Sequence, residues 1–262
     1  LTIVFGLIII SGCEVDRAPT ETPSIVSYPP YTLETKSVSR QTGNCDVDTA
    51  RHCTQVEMLY QLVSDTVRTD AVERINESIL SSIAGVIGYD STKAVPSPET
   101  QADQFVADYE DMVREFPEAF GWEMNLSGEV LRNDSAFLVI RIRVESYTGG
   151  AHGSQNLQFL NFNPVTGTKI ELQDLFIPGF EETLNRLSLD AFRDVRNLAA
   201  DVDPVTEGYN FYQDRYYNPD NFAVLDNVLV FYFNHYEIAP YSAGPTTIEI
   251  PLEELGEILV EI

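Results

Sequence analysis

Residues 147–153 read Tyr-Thr-Gly-Gly-Ala-His-Gly, a segment whose residue types could bind a ligand or take part in catalysis. Gly149 and Gly150 have no side chains, so a partner can approach the main chain closely. His152 can donate or accept a proton near neutral pH, and a neutral histidine can bind a metal ion. The same pattern also fits a tight turn that holds a hydrogen-bonded structural histidine.

A second segment, residues 231–245, contains partners that such a histidine could use. It holds His235 and Glu237, which together with His152 would form an acid–base or metal-binding set if the two segments meet. Tyrosine rings present an apolar face and a polar hydroxyl, so they suit ligand contact as well as packing. The tyrosines that we single out as candidate binding residues are Tyr147, Tyr236 and Tyr241.

The usual sequence signatures of hydrolytic enzymes are not apparent. A nucleophilic triad needs an activated Ser or Cys next to a base, and the sequence has no Gly-x-Ser-x-Gly segment. A hydrolytic zinc site typically uses three protein ligands. His52, His152 and His235 are the only histidines, and none lies in a His-Glu-x-x-His pattern. We therefore predict a binding role without catalytic residues, metal or cofactor.

The N-terminal residues predict export and lipidation. Residues 3–10 form an apolar run of signal-peptide length. The Ile-Ser-Gly-Cys segment at 10–13 resembles a bacterial lipobox. We expect residues 1–12 to be a signal peptide that lacks its first residues, Cys13 to be lipidated, and the proline-containing residues 13–30 to be a tether. The folded part would then lie in the cell envelope, anchored to a membrane and facing the periplasm or the cell exterior.

Two further cysteines, Cys45 and Cys53, are available for a disulfide. Exported proteins fold in an oxidising space, where such a pair tends to bridge. Two free thiols or a metal site are the alternatives. Only His52 lies between the cysteines, and a Cys-x7-Cys spacing is a poor zinc pattern, so we favour the disulfide.

The charge balance restricts the class of partner. The chain has 41 acidic and 16 basic residues, a net charge of −25. Such a protein repels phosphate backbones, so we predict no nucleic-acid binding. Its field attracts cationic partners and raises their rate of encounter, although the charge can also serve only to keep the protein soluble.

Hydrophobic periodicity predicts an α+β fold with largely antiparallel sheets, packed helices and two consecutive subdomains. Two of the predicted helices have recognisable N-terminal caps, Asp70 with Glu73 in the first and Ser97 in the second. The predicted helices are about 70–88, 97–117 and 181–200, with a short final helix from Leu252, and the predicted strands are 32–40, 55–63, 122–131, 135–147, 155–163, 222–225, 228–233 and 246–250.

Two of these helices have a predicted buried face. We expect the first to end at Gly88, and the residues expected on its buried face are Val72, Ile75, Ile79, Ile83 and Val86. Those expected on the buried face of the third are Leu184, Leu187, Ala191, Val195 and Leu198.

The two candidate segments, with Phe-Asn-Pro-Val-Thr-Gly at 162–167 and Asp-Leu-Phe at 174–176, resemble the DUF3298 family. The region before them resembles the DUF4163 domain that often precedes it. On this resemblance we expect a DUF4163-like α+β domain over 31–147 and a DUF3298-like α+β domain over 148–262. Relatives of this kind include the outer domain of a lysozyme-sensing anti-sigma factor and the non-catalytic N-terminal region of a peptidoglycan deacetylase.

The resemblance implies a lipid-anchored, non-catalytic binding module of the bacterial cell envelope. Its ligand would be a cationic wall-degrading enzyme such as lysozyme, or a cell-wall glycan. One alternative is a small envelope glycan hydrolase that uses His152, His235 and Glu237. Another is a structural envelope lipoprotein.

Overall fold

Two β-sheets and three α-helices make up the regular structure of the residues that our computed structural model describes, namely 28–43, 45, 53–88 and 94–260. Within these ranges no helix is both long enough and apolar enough to cross a bilayer. The predicted α+β class is confirmed.

Several sequence-based predictions fall outside the described residues. The predicted signal peptide at 1–12, the lipidated Cys13 and His52 all lie there. The predicted tether also lies there, apart from its last residues, 28–30. These assignments therefore stay predictions.

The first sheet has five strands arranged in chain order. Neighbouring strands are antiparallel except for the second and third, which run parallel. A parallel pair needs a long crossover connection, and helices α1 (Thr69–Ile87) and α2 (Pro98–Glu115) lie within it. The strands are β1 (Thr32–Gly43), β2 (Cys53–Ser64), β3 (Trp122–Asn133), β4 (Leu138–Tyr147) and β5 (Ser154–Phe162).

Helix α1 forms because apolar residues recur at every fourth position on one face. Ile75, Ile79 and Ile83 are fully buried in the core between this helix and the first sheet. The helix ends at Gly88, whose left-handed φ of 93° suits a residue without a Cβ. The predicted stripe and stop are therefore correct.

Of the two predicted helix caps, one is wrong and one is confirmed. Asp70 does not cap α1, because the helix begins at Thr69 and its N-cap is Arg68, which makes no side-chain capping bond. The preceding Asp65 instead accepts bonds from the main-chain N–H groups of Val67 and Arg68, at 2.6 and 3.1 Å. The Ser97 cap of α2 is confirmed, since its Oγ accepts from Thr100 N at 3.2 Å.

The second sheet lies between the first sheet and the third helix, α3 (Glu181–Arg196). On one side Tyr232 meets Phe159 of β5 edge to face. On the other side Phe233 meets Phe192 of α3. Val195, which we predicted on the buried face of α3, is 49% exposed, because Leu184, Ser188 and Phe192 form that face instead. The strands are β6 (Phe222–Val224), β7 (Val228–Phe233) and β8 (Thr246–Pro251), all antiparallel.

Three asparagine side chains join the second sheet to β5. The buried Asn161 donates to Phe222 O at 2.7 Å and accepts from Val224 N at 3.0 Å. Asn221 accepts from Phe159 N, and Asn234 accepts from Leu157 N, both at 2.8 Å. Asn221 and Asn234 thus satisfy main-chain groups on the free edge of β5, and Asn161 satisfies those of β6. Such edge groups would otherwise be open to pairing with another chain.

The predicted boundary between residues 147 and 148 falls just before β5. That strand pairs with β4 in the first sheet, from Ser146 opposite Ser154 to Leu138 opposite Phe162. β5 is therefore the last strand of the first sheet, and asparagine side chains also bond it to the second sheet. The division into domains at this position stays a prediction.

The predicted disulfide between Cys45 and Cys53 is present. It ties the end of β1 to the start of β2, where Gly43 pairs with Cys53 in the sheet. The bridge therefore closes the connection between these two strands.

At the opposite end of the sheet, Arg68 holds the polypeptide that leads into β1. Its side chain is 4% exposed and pairs with Asp65. Its guanidinium donates to Pro29 O at 2.7 Å and lies 3.8 Å from the ring centroid of Tyr31. This ion pair therefore fixes where residues 28–31 meet the folded body.

We predict that Asn161→Ala lowers the free energy of unfolding by about 3 kcal/mol, because it leaves a buried carbonyl and a buried N–H without partners. The change can be measured by urea unfolding monitored by circular dichroism. Asn156→Ala is the matched control, since Asn156 lies on the same strand but is exposed, and it should cost less than about 0.5 kcal/mol. Equal losses for the two variants would contradict the role of Asn161 in joining β5 to the second sheet.

Candidate functional site

The two sequence-predicted segments meet at the end of the first sheet where β4 finishes and β5 begins. The first forms the turn between these strands, and the second follows β7. Asn234 brings them together, because its side-chain amide bonds both the N–H and the carbonyl of Leu157 on β5. The residues after Asn234 therefore lie against the loop that contains His152.

The two contacts of His152 determine which ring nitrogen carries the proton in the neutral form. Its Nδ1 lies 2.8 Å from the carbonyl oxygen of Gly153, which can only accept, so Nδ1 carries the proton. Its Nε2 lies 3.0 Å from the hydroxyl of Tyr236. In the neutral ring Nε2 accepts from that hydroxyl, and the contact joins residues 84 positions apart in sequence.

The ring of Tyr241 is stacked between two histidines. The centroid of His152 lies 3.8 Å from that of Tyr241 with an interplanar angle of 11°, and that of His235 lies 4.5 Å away at 25°. Two imidazoles cannot both fit that close to one face of a ring, so they lie on opposite faces. We call His152, His235, Tyr236 and Tyr241 the His–Tyr cluster.

Tyr236 has an unusual backbone for its residue type. Its φ is +64°, in the left-handed region where a side chain clashes with the following carbonyl. The side chain is also 64% exposed, so burial does not compensate for the strain. A strained, exposed aromatic residue at the mouth of a cavity indicates selection for something other than stability.

Tyr147, Gly149 and Gly150 shape the turn that carries His152. The Tyr147 hydroxyl donates to Gly150 O at 3.0 Å and so closes the turn. Gly149 adopts a φ of +85°, which strains any residue with a Cβ. These three residues therefore position the loop.

Glu237 is not brought into the His–Tyr cluster by the contacts observed. Its carboxylate accepts from the main-chain N–H of its near neighbour Asn234 at 2.8 Å. Partial desolvation of this carboxylate, followed by the nearby negative charge of Asp220, raises the pKa of Glu237, and the Asn234 bond opposes the rise. Among the described residues, no group of three His, Cys, Asp or Glu side chains could hold a metal ion. This placement gives no support to the hydrolase hypothesis.

A cleft of about 290 Å³ opens beside the cluster. Its floor is apolar, from Val86 and Ile87 at the end of α1 and Met124 and Val144 of the sheet, and the four residues of the cluster line it as well. The Nδ1 atom of His235 is buried and has no hydrogen-bond partner among the described residues. Buried polar atoms normally have partners, so this unpaired nitrogen is unfavourable for stability.

A second, more open cavity of about 280 Å³ lies on the other side of Tyr241. The two cavities share Tyr241, Ser146 of β4, Gly153 and the first two residues of β5, Ser154 and Gln155. The second cavity adds two carboxylates, those of Glu123 and Glu145. Together they offer a ligand aromatic faces, hydroxyl groups and negative charge.

We predict that Tyr236→Gly is more stable than Tyr236→Ala by about 1 kcal/mol, because only glycine adopts the left-handed conformation without strain. Urea unfolding of both variants measures the difference. At the exposed Tyr212, which does not have a positive φ, the same pair of substitutions should show the ordinary order, with alanine at least as stable as glycine. The same order at both positions would contradict the presence of strain at Tyr236.

Comparison with known proteins identifies two regions of the chain. Residues 173–253 match the family described as a protein of unknown function, DUF3298. Residues 49–155 match the family described as deacetylase PdaC. A match to the DUF4163 domain is not shown, so that part of the resemblance stays a prediction.

A curated relative is the peptidoglycan-N-acetylmuramic acid deacetylase PdaC of Bacillus subtilis, which is 25% identical over 142 residues. The match covers 53% of this chain but only 30% of the length of that relative.

Two solved structures share the fold at 22% sequence identity. A DUF3298 family member from Bacteroides fragilis aligns with a TM-score of 0.68, covering 89% of this chain and 96% of that one. A DUF3298 family protein from Pseudomonas aeruginosa aligns with a TM-score of 0.59, covering 88% and 95%. The chain therefore matches the DUF3298 family over residues 173–253, has the fold of DUF3298 structures, and matches deacetylase PdaC over residues 49–155.

Proposed function

We propose that this protein is a glycan-binding module of the bacterial cell envelope and that the cleft at the His–Tyr cluster is its ligand site. The observation that carries the proposal is Tyr236, an exposed ring that is held in a strained conformation and bonded to His152 at the cleft. Sugar rings have an apolar face that stacks on aromatic side chains and hydroxyl groups that bond to polar ones. The cleft offers both kinds of contact.

The chemistry of the cleft fits a sugar ring in a specific way. The apolar floor and the ring of Tyr236 suit the C–H faces of a sugar. The His152–Tyr236 pair suits its hydroxyl or amide groups. The relation to a deacetylase named for a peptidoglycan sugar makes the cell-wall glycan the class of ligand to test first.

We predict that the purified domain co-sediments with insoluble peptidoglycan and that Tyr236→Ala weakens binding about tenfold, as for a central aromatic contact. His152→Ala should weaken it severalfold, because it removes the partner of the Tyr236 hydroxyl. Binding isotherms from the unbound fraction give the affinities. Tyr212→Ala is the matched control, since Tyr212 is 77% exposed and lines neither cavity.

Absence of binding by the wild-type protein would overturn the proposal, and so would an equal loss for Tyr212→Ala and Tyr236→Ala. A cationic protein, such as a wall-degrading enzyme, is the second candidate ligand because the chain has a net charge of −25. Affinity for such a partner would fall steeply with added salt. The affinity for a neutral sugar that stacks on aromatic rings would change little with added salt.

The location in the envelope is part of the same proposal and depends on lipidation of Cys13. We predict that cells expressing the chain with its complete leader incorporate a clickable palmitate analogue into the protein, and that Cys13→Ser abolishes the label. Labelling is measured by in-gel fluorescence after click chemistry. Cys45→Ser should keep the label because Cys45 is bridged to Cys53. An unlabelled wild-type protein would contradict lipid anchoring.

A further inference from the structure

We propose that the ligand site extends past Tyr241 onto the open face of the first sheet, where a groove takes an extended chain of amino sugars with free amino groups. This inference rests on the proposed glycan-binding function and names the form of glycan bound. It follows from the continuity of the cavities, the side chains of the sheet face and their charges.

The open face is the side of β2 and β3 that no helix covers. Side chains alternate along each strand, so the buried Met58 and Leu126 face the helices while their neighbours face outward. The second sheet packs on the outer side of β5, through Phe159, and does not reach β2. Leu59, in the middle of the face, is 56% exposed.

A groove of about 480 Å³ runs over this face. It shares Asn125 and Glu145 with the cavity that reaches Tyr241, so the two form one continuous path. The path crosses from β2 to β5, which spans about 14 Å at the usual spacing of strands. That length exceeds a single sugar ring and suits an extended oligomer.

The floor of the groove matches the surface of a polysaccharide. Small polar side chains supply hydroxyl and amide groups for hydrogen bonds, and Leu59 supplies an apolar contact for a ring face. The polar side chains are Ser37, Asn125 and Ser127.

The carboxylates along the path favour a positively charged ligand. The carboxylate of Glu57 accepts from the Ser39 hydroxyl at 2.7 Å, and that of Glu123 accepts from the Asn125 amide at 2.7 Å. Within the described part of the chain, neither has a cationic partner within 4.0 Å, whereas Glu145 is paired with Arg143. The path therefore keeps an excess of negative charge.

A glycan with free amino groups complements this charge. The amino group of an unacetylated amino sugar is protonated at mildly acidic pH, and an extended chain then presents ammonium groups at regular intervals, so the titrations below are made at that pH. An acetylated chain lacks the charge, and an anionic chain is repelled. Carboxylates that have only neutral hydrogen-bond partners remain available to an incoming ammonium group.

The test uses oligomers of glucosamine and of N-acetylglucosamine with two or six units, titrated calorimetrically into the full mature chain. We expect the glucosamine hexamer to bind about tenfold more tightly than both its dimer and the acetylated hexamer. Glu123→Gln and Glu57→Gln should each weaken hexamer binding about threefold, as expected for an exposed charge pair. Glu249→Gln is the matched control, because Glu249 is an exposed strand residue of the second sheet and should have no effect.

Two results would contradict the proposed role of the groove while leaving the glycan-binding proposal intact. The first is a hexamer that binds no better than the dimer, with the loss for Tyr236→Ala retained. The second is equal affinity for acetylated and free hexamers, with Glu123→Gln behaving like Glu249→Gln. If no oligomer and no peptidoglycan binds, the glycan-binding proposal itself fails.

Discussion

Side-chain amides of three asparagines make the hydrogen bonds between β5 and the second sheet that main-chain groups of paired strands would otherwise make. An amide has one donor side and one acceptor side, like a peptide group, so Asn161, Asn221 and Asn234 bond to the main chain as a neighbouring strand would. Asn221 and Asn234 satisfy main-chain groups on the free edge of β5, Asn161 satisfies those of β6, and together they set the second sheet against β5. Asn234 also begins the segment with His235 and Tyr236, so the geometry of the His–Tyr cluster depends on this link between the sheets.

Regular elements were predictable from the sequence because their signals are local. The Ile75, Ile79 and Ile83 stripe and the Ser97 cap each depend on residues within one helix. The parallel pairing of β2 with β3 was not predictable, since 57 residues of crossover separate the strands and no local pattern records it. The Asp70 cap failed because a competing carboxylate, Asp65, takes the main-chain N–H groups just before the helix.

The sequence predicted which residues belong to the candidate site, but it did not predict how their side chains are arranged. Motif residues identified His152, His235, Tyr236 and Tyr241, but stacking around Tyr241 and the left-handed backbone of Tyr236 are tertiary facts. The separation of Glu237 from the histidines has the same origin, because the nearest donor to its carboxylate is the main chain of its own turn. The role of Asn161, Asn221 and Asn234 could not be predicted from the sequence, since an isolated Asn next to a strand usually marks a turn.

The Arg68 ion pair, finally, fixes where the polypeptide before β1 leaves the folded body. It fixes Pro29 at the end of the sheet where Tyr31 bonds Asn133, and the ligand site lies at the other end of β4, about 30 Å away. A polypeptide that joins Pro29 to a support would therefore leave the folded body at the end opposite the His–Tyr cluster. The length of that polypeptide would then set how far from the support the molecule can reach.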